Sequence, residues 1–323
     1  MKIAITTGDV NGIGIEIMIK ALQNFSNPDS VEFVFYGSVN IIKQWLEIID
    51  NTITIEDNYL FIGNNKVLIQ EISTSYQIEI GKVSIEAGRH AAEALELCVS
   101  DTLREINDAL VTLPIAKEAI YLAGWKYPGH TEMLADRCGI TDPLMILFKD
   151  NLRSALVTIH SSLRKVADLI SEKSVLNSIE KFEKSLKMDF GIATPKIAVL
   201  GLNPHAGENG NIGTEEIEHI IPAINSAQNS GINCEGPFPA DGFFAHQLYK
   251  NYDGYLAMYH DQGLIPLKLL AAGGGVNFTA GLPIVRTSPD HGTAFGIAGK
   301  NIANHQSLLD SITAAIDIVK NRK

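Results

Sequence analysis

Three histidines stand just past three apolar runs. His160 follows residues 155–159, His205 follows 197–204 and His260 follows 255–259. If each run is a strand of a parallel sheet, the three strand ends can bring three imidazoles to one point. Three histidines with an open fourth position is a catalytic metal geometry. Neutral imidazole suits Zn²⁺, Co²⁺ or Ni²⁺. Taken singly, each could equally be a surface residue or a hydrogen-bonded core residue. Asp241 and Asp261 are the nearby carboxylates. Either could orient a metal-bound imidazole, or cap a helix.

The densest concentration of polar chemistry lies in residues 259–300. It holds His260, Asp261, Lys268, Gly273-Gly274-Gly275-Val276-Asn277, Arg286, His291 and Lys300. So much glycine among charged and polar residues makes poor helix or strand filler, and lets backbone approach a ligand closely. Lys268, Asn277 and Arg286 could together hold a phosphate or carboxylate, arginine through a bidentate fork. Lys117, just past 109–113, could move a proton or simply start a helix. Pro128-Gly129-His130-Thr131-Glu132 precedes a helical pattern. His130 or Thr131 there can bind an anion beside free backbone N–H groups. Gly8-Asp9-Val10-Asn11-Gly12-Ile13-Gly14 is neither GxGxxG nor a Walker loop. It reads as a turn opening a helix, with Asp9 and Asn11 lining a cleft.

These groups need a frame. Strands are expected at 2–7, 31–36, 109–113, 144–148, 154–158, 196–200 and 255–258. Helices are expected at 12–22, 39–49, 83–106, 162–186, 214–227 and 306–319. The last carries an i, i+3/i+4 stripe of Leu308, Leu309, Ile312, Ala315, Ile316 and Val319, with Asn304 as a cap. Strand–helix alternation predicts an α/β fold with a largely parallel sheet. Open sheets of that kind place ligands at the carboxyl ends of strands. The stretch 51–81, with short strand-like pieces such as 66–70, reads as an excursion from the main sheet. At 323 residues the chain has material for two α/β lobes sharing one path, their boundary not readable.

Composition narrows the function classes. With 26 Lys and Arg against 37 Asp and Glu, the net charge is −11, which disfavours bulk nucleic-acid binding. A small anionic substrate remains compatible, because local charge can oppose the global sign. Cys98, Cys138 and Cys234 are widely spaced and suit a reducing compartment. No apolar run reaches the length of a membrane span, and the N-terminus lacks a signal-peptide core. A cytoplasmic protein is expected.

Several of these motifs occur in a telling order: Gly8 to Glu16, Pro128-Gly129-His130-Thr131-Glu132, Asn203-Pro204-His205-Ala206-Gly207-Glu208, Gly236-Pro237-Phe238-Pro239-Ala240-Asp241, Tyr259-His260-Asp261-Gln262-Gly263 and Arg286-Thr287-Ser288-Pro289-Asp290-His291-Gly292-Thr293-Ala294. The set closely resembles the 4-hydroxythreonine-4-phosphate dehydrogenase family of pyridoxal 5′-phosphate biosynthesis, over nearly the whole chain. The resemblance implies a fold similar to isocitrate and isopropylmalate dehydrogenases, with two lobes around a central cleft, and a homodimer with its active site at the interface. It makes His160, His205 and His260 the ligands of a divalent metal, zinc or alternatively magnesium or cobalt. His130, Thr131, Lys268, Asn277 and Arg286 match substrate-binding positions. His291, Gly292, Thr293 and Asn301 would face NAD or NADP. Lys117, Asp241 and Asp261 are the candidates for catalytic roles.

The expected reaction is oxidative decarboxylation of 4-phosphohydroxy-L-threonine, with the metal as Lewis acid at the hydroxyl and hydride passing to nicotinamide. Related dehydrogenases acting on 4-phospho-threonate or erythronate-type sugar acids, or on dihydrodiols, share the motifs. Phosphate acyltransferases share a similar fold without metal or nicotinamide. Two departures from the family pattern stand out. Val10 replaces a usual proline, and Ser161-Ser162-Leu163-Arg164 replaces a more apolar stretch after His160. An acidic residue that the wider superfamily carries near Phe295-Gly296 is also missing, which leaves NAD against NADP open.

Overall fold

The structure is a computed structural model that describes residues 1–27, 31–49, 53–72 and 76–323. Its strands are β1 (Lys2–Thr6), β2 (Glu32–Gly37), β3 (Thr54–Glu56), β4 (Tyr59–Ile62), β5 (Asn65–Glu71), β6 (Ala109–Thr112), β7 (Leu144–Lys149), β8 (Leu152–Leu156), β9 (Ile197–Leu200), β10 (Cys234–Phe238), β11 (Gly254–Ala257), β12 (Val276–Ala280) and β13 (Val285–Pro289). The chain forms two compact units. One is Met1–Thr141 with Leu282–Val319, the other Asp142–Gly281 with Lys320–Lys323.

In the first unit the strands run in the order β13-β6-β1-β2-β5-β4-β3. β1 is parallel to β2 and β6, β6 to β13, and β2 to β5. Strands β1 and β6 are almost wholly buried, as continuous apolar runs in a sheet covered on both faces should be. The stretch expected as an excursion belongs to the sheet instead. β5 extends it beyond β2, and β4 and β3 add an antiparallel edge. Residues 51–52 and 73–75 of that stretch lie outside the described residues. Helix Gln306–Arg322 buries Leu308, Ile312, Ala315, Ile316 and Val319, and Asn304 Oδ1 accepts from Gln306 N at 2.8 Å.

In the second unit the order is β10-β9-β11-β8-β7-β12. β8, β9, β10 and β11 are mutually parallel where they pair. β7 is antiparallel to both β8 and β12. The single helix expected over 162–186 is two, Leu163–Leu169 and Glu172–Met188. Between them Ser171 forms a capping box with Ser174, which starts a new helix rather than continuing the old one. The strip 259–300 also corrects an expectation. It contains helix His260–Ala271 as well as β12 and β13. Gly263 inside that helix is a packing requirement. A Cβ there would lie 2.6 Å from Ser154 Oγ and from Leu156 Cδ2. No described helix is long and apolar enough to cross a membrane.

Candidate active site

In the first unit the sheet delivers a buried cation. Arg286 sits on β13, 2% exposed, and its Nε and Nη2 donate to Thr112 Oγ1 of β6 at 3.0 and 2.7 Å. Burial pushes its pKa down to about 10, against the pull of Glu132, so it stays charged at neutral pH. Helix His130–Cys138 begins beside it, with Gly129 at its cap position and no side chain satisfying the first amides. Desolvation first, then the positive charges of Arg286 and Lys117, hold His130 well below the ordinary imidazole range. The residue keeps some surface, but its Nε2 is buried and finds no hydrogen-bond partner among the described residues. A neutral ring can donate from one nitrogen and accept at the other. Thr131 lies in the same first turn, and Lys117 opens helix Lys117–Leu122. Cation, neutral imidazole and uncapped amides together make an anion cradle.

The loop after β1 does a different job from the one expected. Asp9 and Asn11 are 1% and 0% exposed, and neither lines an open surface. Asn11 accepts from Tyr76 Oη at 2.6 Å and Glu79 N at 2.8 Å, and donates to Lys82 O at 2.9 Å. It ties that loop to residues 76–84. Asp9 Oδ1 accepts from Asn11 N, while its other oxygen is buried without a partner. Burial raises Asp9 to about 6. The same loop fixes the segment expected to face the dinucleotide. Ile13 N donates to Thr293 O at 3.0 Å, and a Cβ on Gly12 would sit 2.9 Å from that oxygen. Gly292 and Gly296 face open space, and His291 Nε2 is buried and unpartnered among the described residues. Asn301 adopts a left-handed φ of 57° and turns its amide back to Ile49 O, 3.4 Å away. Buried Glu16 anchors the end of this loop by accepting from Ala303 N at 2.9 Å and Lys20 at 2.8 Å.

In the second unit, adjacent parallel strands do what strand-end reasoning expects for two of the histidines. β8 and β11 pair in register, and the pairing runs on through Val157 N to Ala257 O and Thr158 N to Met258 O. His160 and His260 therefore emerge side by side, ring centres 6.0 Å apart. Two imidazoles binding one ion at about 2.1 Å place their ring centres roughly 5–6 Å apart, so the pair fits a shared metal. Asp261 Oδ1 lies 2.8 Å from His260 Nδ1, which leaves Nε2 to face outward. A pocket here is lined by Ile159, His160, Ser161, Leu163, Tyr259, His260 and Asp261. The departure after His160 thus falls in its wall.

The structure does not bring His205 to that pair. Among the described residues, no group of three His, Cys, Asp or Glu stands close enough to hold an ion. His205 rides instead on a left-handed turn. Residues 205–209 have φ of 53, 50, 78, 43 and 54°, although a non-glycine residue in that region costs about 1–2 kcal/mol. Asp241 is exposed in the first turn of helix Ala240–Ala245 and does not line the pocket. Lys268 is exposed on helix His260–Ala271, while Asn277 on β12 has its Oδ1 buried and unpartnered. Sequence reasoning passed over Thr112, Glu16 and Glu216. The last two are acids that fold into the interior with 0% and 1% exposure, and an acid inside an apolar stretch such as 13–19 is the one signal that could have flagged Glu16.

A largely parallel α/β sheet with polar groups past its strand ends is the frame of an α/β enzyme, and the relatives of this chain make the class an oxidoreductase. The family profile described as pyridoxal phosphate biosynthetic protein PdxA matches residues 29–315, and the chain belongs to that family. A 4-hydroxythreonine-4-phosphate dehydrogenase of Bacteroides thetaiotaomicron is 42% identical over all of this chain and 90% of its own. The crystal structure of the Klebsiella pneumoniae 4-hydroxythreonine-4-phosphate dehydrogenase is 37% identical, with a TM-score of 0.87 over 98% of each chain. A Cutibacterium acnes relative, provisionally named a D-threonate 4-phosphate dehydrogenase, is 39% identical over 98% of this chain and 94% of its own. Isocitrate dehydrogenase from Methylococcus capsulatus, 14% identical with a TM-score of 0.51 over 99% of this chain and 86% of its own, shares the fold.

Proposed function

We propose that this chain oxidises and decarboxylates 4-phosphohydroxy-L-threonine with NAD or NADP, yielding 3-amino-2-oxopropyl phosphate, CO₂ and the reduced cofactor. The observation that carries the reading is the buried Arg286 beside a neutral His130 at an uncapped helix start. A phosphate there meets a fixed cation, a hydrogen-bonding imidazole and free amides, and Lys117 adds a second charge. Thr131 lies in the same helical turn as His130, and Lys268 and Asn277, both in the second unit, are further candidates for holding a polar end of the substrate. A bound nicotinamide would supply the hydride acceptor for the substrate's hydroxyl carbon, whose oxygen would give up its proton to a base. The resulting 3-keto acid loses CO₂, and a proton replaces it on carbon. Lys117, adjacent to the anion cradle, is the better placed candidate to move protons, and Asp241 the other.

His160 and His260 would hold a divalent ion such as zinc, magnesium or cobalt; His205 is the third ligand that the family resemblance implies, although its turn does not reach the pair in this structure. When bound it supplies Lewis-acid polarisation of the substrate oxygen. Asp261 holds the His260 ring in one orientation. His291, Gly292, Thr293 and Asn301 would face the dinucleotide, on a segment that Gly12 and Ile13 fix at Thr293. The working form is a cytoplasmic homodimer with its active site at the subunit interface, binding neither nucleic acid nor membrane.

The Cutibacterium acnes relative gives a specific reason to weigh a hydroxy-acid substrate, since one amino-to-hydroxyl exchange separates the two. NAD(P)H formation measured at 340 nm with 4-phosphohydroxy-L-threonine, 4-phospho-threonate and 4-phospho-D-erythronate decides. The amino acid should give the highest kcat/KM by at least about tenfold. A higher value with either sugar acid would overturn the substrate assignment, and no turnover with any of the three would overturn the reaction class.

A further inference from the structure

The anion cradle depends on where the Arg286 side chain points, and the register of the sheet shows what sets that direction. Between β13 and β6, Arg286 pairs with Leu110, and residues two apart on a strand share a face. Thr112 therefore lies on the face that carries Arg286, farther along toward the carboxyl end of β6. It closes that strand, is the one polar residue in it, and is 0% exposed. A hydroxyl buried so deeply calls for a hydrogen-bond partner. Arg286 meets it with two nitrogens: Nε and Nη2 donate to Thr112 Oγ1 at 3.0 and 2.7 Å. The guanidinium is planar, so an acceptor that holds two of its nitrogens along one edge sets the direction of the whole fork. The acceptor is itself steady, because a branched threonine side chain has few rotamers. Glu132 attracts the same guanidinium through charge, a pull that depends on distance and fixes no orientation.

We propose that Thr112 is the positioning residue of the anion cradle: its hydroxyl draws the Arg286 side chain toward the carboxyl end of β6 and aims the guanidinium at an anion beside His130. The proposal rests on the reading of Arg286 as the residue that binds the substrate's phosphate. Arg286 is close enough to His130 for its charge to depress that imidazole, and the carboxyl end of the strands is where such sheets receive ligands. Wholly buried, Thr112 acts through Arg286 and not on the substrate directly.

The test compares wild type, Thr112→Val, Thr112→Ser, Arg286→Ala and the Thr112→Val, Arg286→Ala double variant. Steady-state kinetics are measured with 4-phosphohydroxy-L-threonine and with 4-hydroxy-L-threonine, which lacks the phosphate. Hydrogen exchange at Arg286 Nε, read by nitrogen-15 NMR, and a thermal melt are followed in the same proteins. Valine keeps the branching and close to the size of threonine but loses the acceptor. Thr112→Val should raise KM for the phosphorylated substrate about 10- to 100-fold, with a smaller change for the analogue and faster exchange at Arg286 Nε. Thr112→Ser keeps the hydroxyl and should stay within about threefold of wild type. The double variant should be no worse than Arg286→Ala, because Thr112 acts only through that side chain. A wild-type KM in Thr112→Val while Arg286→Ala is impaired overturns the proposal. So does a loss confined to kcat, a loss that serine does not restore, or losses that multiply in the double variant. Should Thr112→Val fail to fold, Thr112→Ala is read in the same way. If Arg286→Ala keeps wild-type kcat/KM, or neither substrate turns over, it is the anion reading that falls. Exchange then judges Thr112 alone, and wild-type protection of Arg286 Nε in a folded Thr112→Val or Thr112→Ala protein sinks the positioning role.

Discussion

The anion cradle of the first unit and the imidazole pair of the second are built on opposite principles. Arg286 and the Nε2 of His130 are sealed from water, and their environment has already chosen their charge: the guanidinium positive, the imidazole neutral. His260 and Asp261 keep 39% and 66% of their side-chain surface exposed. One site is dry and set before substrate arrives; the other is open, with the Asp261 carboxylate against His260. A dry cradle gains electrostatic strength because little water screens it. An open pair can exchange a bound ion and its waters, and relies on a neighbouring acid for orientation. The same sheet logic serves Arg286, His160 and His260, which lie on or just beyond buried strands, whereas His130 opens a helix.

If the cradle is pre-set, breaking it should have the largest effect. Removing one member of a buried charged interaction costs about 2–5 kcal/mol. Arg286→Ala should therefore lower kcat/KM for a phosphorylated substrate by at least about 30-fold, mostly through KM. The loss should shrink for an analogue lacking the phosphate. Steady-state kinetics with both substrates checks this, and equal losses for the two would place Arg286 against some other group.

The open site should give way more gently. Asp261→Asn can still accept from His260 Nδ1 through its amide oxygen but loses the negative charge. Metal affinity should fall about tenfold, the lower end of such effects, with little change in thermal stability because Asp261 is exposed. Isothermal titration with Zn²⁺ measures it. An unchanged affinity would mean that His260 is oriented by something other than Asp261.

How much of this contrast could be read from the sequence differs between the sites. The histidine pair was legible because β8 and β11 are parallel neighbours in register, so equal steps past their ends meet. His205 defeated the same logic. Past β9 the backbone leaves the strand, is caught by Glu216 at residues 202–203 and winds left-handed. No periodicity announces that path. Arg286 was legible as a residue but not as a strand position, since β13 ends in Ser288 and Pro289 inside a strip dominated by loop-forming residues. Asn11 looked like a ligand-facing polar group and proved to be a buried knot, because the residues that satisfy it lie 65 or more positions away.

The last expected effect falls on the dry side and concerns its pH dependence. Asp9 is raised from 3.8 to about 6 chiefly by burial, with only the Asn11 amide opposing. Between those two values the folded protein holds a proton that the unfolded chain has released. Stability therefore falls as pH rises through about 4 to 6, and the deficit persists above that window. A shift of about two units corresponds to roughly 3 kcal/mol at neutral pH. His130 has the opposite sign. Its folded value lies below that of the free side chain, so stability is lost as pH falls from about 6.5 toward the folded value. Asp9→Asn keeps an acceptor for Asn11 N and removes the buried charge. It should raise the melting temperature at pH 8 by a few degrees and leave it nearly unchanged at pH 4, where Asp9 is already protonated when folded. Calorimetric scans at the two pH values check this. A variant that melts lower than wild type at pH 8 would show that the Asp9 carboxylate is stabilised by a partner, and that this corner of the first unit is not dry.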